Sequence, residues 1–112
     1  MEAKDLRDLV RFEEDGPNHG DLFESDHLWS EVVCLDRNQS LGTVRDADSD
    51  AFVLVVTGRV VVQVNRGRKR LEQWATTLVP AGSELTITNA GEDPSVVLLV
   101  VAPPPVRRAV AE

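Results

Sequence analysis

The second half of this chain constrains its fold most: from residue 51 onward, short valine-rich runs alternate with turn residues. β-Branched side chains lose little extra freedom on a pleated sheet and pack well there, so these runs read as strands. Ala51 to Thr57 is apolar throughout and is expected to be a strand buried on both faces. Gly58-Arg59 then turns the chain into Val60 to Val64, with Val60, Val62 and Val64 on one face and Gln63 on the other. Asn65-Arg66-Gly67 is a turn signal, because Asn and Gly tolerate positive φ. Arg68 to Glu72 is expected to be solvated, and a further strand to run from about Trp74 to Val79. Pro80-Ala81-Gly82 breaks that strand. Leu85 to Thr88 alternates apolar with hydroxyl, Asn89 to Pro94 is a loop, and Ser95 to Ala102 is the last strand. Pro103-Pro104-Pro105 ends it, since three consecutive residues lack an N–H donor.

Upstream the pattern is weaker. Leu6, Leu9 and Val10 fall at helical spacing and predict a short N-terminal helix. Phe12 to Asp26 is rich in acids, Gly and Pro and reads as an extended arm, while Trp29 to Leu35 and Leu41 to Arg45 read as strands. About eight short strands with turn signals roughly every 8–12 residues predict an all-β, double-sheet jelly roll. With 112 residues the chain forms one domain: an arm over 1–28, a barrel over 29–103 and a tail over 104–112. Hydrophobic residues at 42% exclude a disordered chain. No apolar run reaches the roughly 18–20 residues that span a bilayer, so no membrane partner is expected. A net charge of −7 argues against a nucleic-acid partner, because phosphates repel a net anion. The charged start, Met1 to Asp5, has no signal-type apolar core behind it, and Cys34 is the single cysteine. Both suit a cytoplasmic protein.

Over Ala51 to Pro104 the pattern resembles the cupins, small jelly-roll barrels (double-stranded β-helices) whose two motifs usually hold a metal. The second motif is Gly, five residues, Pro-x-Gly, two residues, His, three residues, Asn. Here Pro80-Ala81-Gly82 is followed at the same spacing by Leu85 and then Asn89, so a leucine stands where the family has histidine. The leading glycine of that motif falls on Trp74. In the first motif, counting back from Gly58 puts Ala51 at the glutamate. The histidine pair then falls on Arg45 and Ala47, or on Val44 and Asp46 with the longer spacer. The resemblance implies a cupin barrel, and the substitutions imply that the usual metal is not held. Ala47, Ala51 and Leu85 offer no lone pair, and the guanidinium of Arg45 repels a cation. Slipping the register by one residue brings Asp46 and Asp50 toward the ligand positions, a poor transition-metal set without histidine. No metal and no cofactor are therefore expected.

Other constellations carry less. Asp46-Ala47-Asp48-Ser49-Asp50 opens like a calcium loop, but Ala51 replaces the required glycine and Thr57 the closing glutamate, so an acidic turn is expected. His19 and His27 are the only histidines; His27 and Glu31 are spaced for convergence on a helix, in a region that reads as arm and strand. Cys34 lies in an apolar strand and reads as inert packing. The run Arg66-Gly67-Arg68-Lys69-Arg70 reads as a solvated turn that keeps sheet edges from pairing, with an anionic partner as the alternative.

In the cupin-like register Ala51, Val53, Val55, Val60, Val62, Val64, Leu85 and Ile87 face inward and outline an apolar pocket. Arg45 is the lone charge at its mouth. The expected function is a metal-free barrel that binds a small apolar molecule bearing an anionic group, contacted by Arg45, Ala47, Ala51, Val53, Val62, Leu85 and Ile87. In the competing reading the valines fill the interior and Arg45 pairs with Asp46, Asp48 or Asp50. A second class is an enzyme that needs little or no metal, of the isomerase, epimerase or dioxygenase type that the resemblance allows, with Asp46, Asp50 or Glu84 as acid or base. A third is a structural or oligomerisation module. Val96 to Val101 is apolar on both faces, so both must be covered, and together with the resemblance this predicts a homodimer.

Overall fold

Strands of four to eight residues, separated by the turn residues named above, pair into two antiparallel sheets that face each other. The structure, a computed structural model, describes residues 1–105. After one turn of 3-10 helix over Leu6–Leu9 come β1 (Asn18–Glu24), β2 (Trp29–Leu35), β3 (Ser40–Arg45), β4 (Asp50–Thr57) and β5 (Arg59–Val64). Then follow β6 (Gly67–Glu72), β7 (Thr76–Val79), β8 (Glu84–Thr88) and β9 (Ser95–Ala102). One sheet has the order β1-β2-β9-β4-β7 and the other β3-β8-β5-β6, the double-sheet jelly roll expected from the strand rhythm. From residue 106 on, the expected C-terminal tail lies outside the described residues. Among the described residues no helix is long and apolar enough to cross a membrane.

The inward faces form one core. Trp29, Val33, Leu35, Val53, Val55, Val97, Leu99 and Val101 meet Leu41, Val60, Val62, Leu71, Leu85 and Ile87 from the opposite sheet. Each such side chain removed from water contributes about 1.5–3 kcal/mol before the entropy of ordering it. Gly58, at φ +89°, turns β4 into β5 against β9, where an added Cβ would lie 2.8 Å from the Ser95 Cα. The Ser95 hydroxyl accepts from the Arg59 N–H and donates to the Arg59 carbonyl, which closes that turn.

The five-stranded sheet has a second covered face. Val32, Cys34 and Val96 point outward and pack beneath Leu6, Leu9 and Phe12 of the N-terminal arm. Lys4 ties the arm down by donating from Nζ to the Leu22 carbonyl at 2.6 Å.

Several expectations need correcting. The arm, expected to be extended, carries a paired strand: residues 18–24 form β1 against β2, with Gly20 opposite Val32 and lying under Leu9. Residues 68–72 are solvated yet belong to β6, paired to β5 through the backbone with Leu71 as the one buried side chain. Trp74 lies in a turn rather than in β7, at φ +74°. β4 is buried on one face only, its outward Phe52 being 41% exposed. Among the described residues the strands therefore number nine.

Candidate functional site

The site outlined by the family-like motifs lies at the end of the barrel where β3, β4 and β8 converge. β3 pairs with β8 as Leu41 with Ile87 and then as Val44 with Leu85, so one extra residue is inserted at Gly42-Thr43. A one-residue bulge exchanges the faces of everything beyond it. Val44 and Asp46 thus line the mouth, and Arg45 turns outward beside Glu84. Arg45 is exposed, and its Nε donates to the Gly82 carbonyl at 3.0 Å. Ala47 is exposed in the following loop. Neither residue enters the interior: the bulge sets Val44 and Asp46 at the mouth, the positions that the longer spacer gives, in place of Arg45 and Ala47. Ala51, Val53, Val62, Leu85 and Ile87 do lie on inward faces, and the structure brings Ala51 and Leu85 together at the mouth.

The cavity there is small, about 30 Å³, lined by Val44, Asp46, Ser49, Ala51, Val79 and Leu85 among others. That volume holds a water or two, not a metabolite. The interior is otherwise filled by the chain's own valines and leucines.

The mouth does not fit a transition metal. Asp46 is the one carboxylate among Val44, Ala51 and Leu85, and its Oδ1 accepts from the Asp48 N–H at 2.9 Å. Asp50 is exposed and accepts from the Ala81 N–H at 2.8 Å. Asp46 and Asp50 thus cap turns, as expected of an acidic loop between strands. Among the described residues no three His, Cys, Asp or Glu side chains are grouped to hold a metal ion.

A larger concavity opens at the side of the barrel. β6 and β7 are edge strands of different sheets, and the groove between them has a volume of about 450 Å³. Its floor is Val62, Val64 and Leu71, and Thr76 and Thr77 line the β7 side. Lys69 pairs with Val62, so its side chain emerges on the inward face of β6, above that floor. Arg68 lines the same groove. Among the described residues, Arg66, Arg68, Lys69 and Arg70 make no ion pair, in a chain whose net charge is −7. Sequence reading missed this groove because it took residues 68–72 as solvated and the run 66–70 as a turn. The usable signal was Lys69 at an even spacing from Leu71, hence on the same face.

The histidines resolve differently from the spacing. His27 is exposed in the turn before β2 and stays away from Glu31. Glu31 is buried, and the imidazole of His19 on β1 lies 2.9 Å from its Oε1. Hydrogen bonding to Glu31 raises the His19 pKa above its ordinary value, against the opposing effect of burial. Cys34 is fully buried, and loss of solvation pushes its thiol pKa up, which disfavours the reactive thiolate. Asn89 is wholly buried and structural: its Nδ2 donates to the carbonyls of Leu35 and Asp93, and its Oδ1 accepts from the Gly91 N–H.

No protein-family model matches the sequence, and no curated protein does so either. Solved structures do. The chain is similar to TT1209 from Thermus thermophilus, with 28% identity and a TM-score of 0.90 over 94% of this chain and 100% of that one. It is similar to an uncharacterized protein with a double-stranded β-helix domain from Klebsiella pneumoniae, with 17% identity and a TM-score of 0.85 over 92% and 90%. An RmlC-like cupin protein from Desulfovibrio desulfuricans matches with 18% identity and a TM-score of 0.83 over 93% and 98%. At 17% and 18% identity those two likenesses concern the fold alone.

Proposed function

This chain is a small cupin-fold domain, and we propose that it binds a small molecule with an apolar body and an anionic group in the groove between β6 and β7. The observation that carries this reading is the placement of Lys69, a cation without an ion pair among the described residues, over the apolar floor of a groove of about 450 Å³. That volume falls in the range of roughly 300–1,000 Å³ usual for small-molecule sites, whereas the mouth cavity falls far below it. Val62, Val64 and Leu71 take the apolar body, Lys69 the carboxylate or phosphate, and the Thr77 hydroxyl, on the inward face opposite Val53, offers a hydrogen bond. The basic hairpin steers anions toward the groove in an otherwise acidic molecule. This mode of binding requires no metal, and a cytoplasmic setting suits the lone buried Cys34.

The test is a thermal-shift and calorimetric titration with hexanoate, octanoate and inorganic phosphate as probes. A ligand that binds the folded state raises its melting temperature. The expected result is a rise with an apolar carboxylate, lost on filling the floor by Val62→Phe and weakened about tenfold by Lys69→Gln, or about 1.4 kcal/mol. Arg45→Gln should leave the affinity unchanged. An inward charge on an edge strand also blocks edge-to-edge pairing. If Lys69→Gln binds as well as the native chain, or if no probe binds, the charge serves only that guarding role and the reading fails.

A further inference from the structure

The backbone of β6 offers a second set of contacts above the groove. β6 is the edge of its sheet and is exposed along its length apart from Leu71. The Asn65 N–H donates to the Glu84 carbonyl at 2.9 Å, so odd-numbered residues along β5 bond β8 and even-numbered ones bond β6. Gly67, Lys69 and Leu71, the partners of Val64, Val62 and Val60, therefore turn their backbone groups toward β5. The N–H and C=O groups of Arg68 and Arg70 point the other way, over the groove toward β7, where no strand pairs with them.

The side chains along this edge carry one sign of charge. Lys69 stands over the apolar floor, while Arg68 and Arg70, opposite Gln63 and Val61, stand on the outward face. None of the three has an ion pair among the described residues. An inward charge on an edge strand normally prevents further pairing. That block is selective, because like charges directly opposite each other destabilise a strand pair and opposite charges stabilise it. A second copy of β6 would set cations against cations, and an apolar strand would leave Lys69 unpaired. A strand bearing carboxylates turns the same block into attraction.

We propose that β6 accepts an extended acidic segment of another protein as an added antiparallel strand, laid along the groove toward β7. The proposal rests on the groove being a site for an apolar body and an anion, and it names the chemical form that delivers both. Antiparallel pairing is the rule throughout both sheets. Opposite residues 67–71 the segment carries carboxylates facing Arg68, Lys69 and Arg70, between two apolar residues that reach Val64 and Leu71 on the inward side. Backbone hydrogen bonds supply affinity in this mode of recognition, and alternate side chains supply selection. With a net charge of −7 the rest of the molecule repels such a segment, so the basic edge also orients its approach.

The probe is the fluorescein-labelled, amidated peptide Thr-Val-Glu-Glu-Glu-Val-Thr, titrated with the full chain by fluorescence anisotropy alongside octanoate. Saturable binding is expected, about tenfold weaker or more when glutamines replace the three glutamates. N-methylation of the first and third glutamates, whose N–H groups face Arg68 and Arg70, should abolish binding. N-methylation of the central glutamate, whose N–H faces away, should leave it unchanged. Arg68→Glu together with Arg70→Glu, both exposed, should keep the native melting temperature and lose the peptide. That variant should instead bind the peptide with Lys-Glu-Lys at its centre. If the two N-methylated peptides bind alike, or the glutamine peptide binds as tightly as the parent, the edge does not accept a strand and the proposal is overturned. Octanoate binding without peptide binding overturns it too, while leaving the small-molecule reading intact. Failure of both probes overturns both.

Discussion

The two sheets contribute equivalent inward faces to the core but present opposite outward ones. Outside the four-stranded sheet stand Ser40, Gln63, Arg68, Arg70, Thr86 and Thr88, and Ser40 Oγ donates to Thr88 Oγ1 across β3 and β8. Outside the five-stranded sheet stand Val32, Cys34, Val96 and Leu98 beneath the arm, with Phe52 and Leu78 beyond its reach. The first face is hydrated, and the second is apolar. One half of the second is covered by residues 6–12, which shows that the face accepts an apolar cover; the half over β4 and β7 has none among the described residues.

A charge placed on each face separates them most sharply. Val96→Asp buries a carboxylate without a partner between β9 and the arm, and should cost about 3 kcal/mol or more in urea-unfolding free energy. Thr86→Asp, on the hydrated face, should cost about 1 kcal/mol or less. Equal losses at the two sites would mean that the arm does not seal the five-stranded sheet in solution. A smaller contrast comes from truncation. Leu9→Ala removes part of the cover over Val32 and Gly20 and should lower the urea midpoint by the equivalent of about 1–2 kcal/mol. Val61→Ala, half-buried outside the four-stranded sheet, should cost less than half of that.

The same contrast explains what is legible in the sequence. Two-residue periodicity locates β2, β5, β8 and β9 closely, because each alternates or is continuously apolar between clear turn residues. β1 is not legible: Asn18-His19-Gly20-Asp21 has no apolar alternation, and only its pairing with β2 and the arm lying over Gly20 make it a strand. From the sequence, the arm is only one of several ways to cover Val96 to Val101. Inward positions on β4, β5 and β8 follow from the cupin-like register, but that of Arg45 does not, since nothing in Leu41 to Arg45 announces the bulge that reverses its face. Trp74 is visible as a departure from glycine at a motif position, and the left-handed φ there supplies the physical meaning of that glycine.

Charges inside the two sheets differ as well, and this gives the finest test. On β6 the cations are left without ion pairs among the described residues, whereas on β2 the buried Glu31 is matched by His19 of β1. The hydrogen bond to Glu31 raises the folded-state pKa of His19 above the ordinary 6.5. A group whose folded pKa exceeds its unfolded one binds protons more tightly when folded, so its stabilisation is complete below about pH 6.5 and is lost as pH rises through the folded value. Stability should therefore decline modestly from pH 6 upward, and His19→Gln should remove that slope while lowering stability most at the acid end. The imidazole is 43% exposed, so solvent screening keeps the effect small beside those of Val96 and Leu9. Thermal unfolding at matched ionic strength measures it. A native chain whose melting temperature rises between pH 6 and 8, with His19→Gln parallel to it, would show that Glu31 does not depend on the imidazolium. The contrast between paired charge on β2 and unpaired charge on β6 would then have no energetic basis.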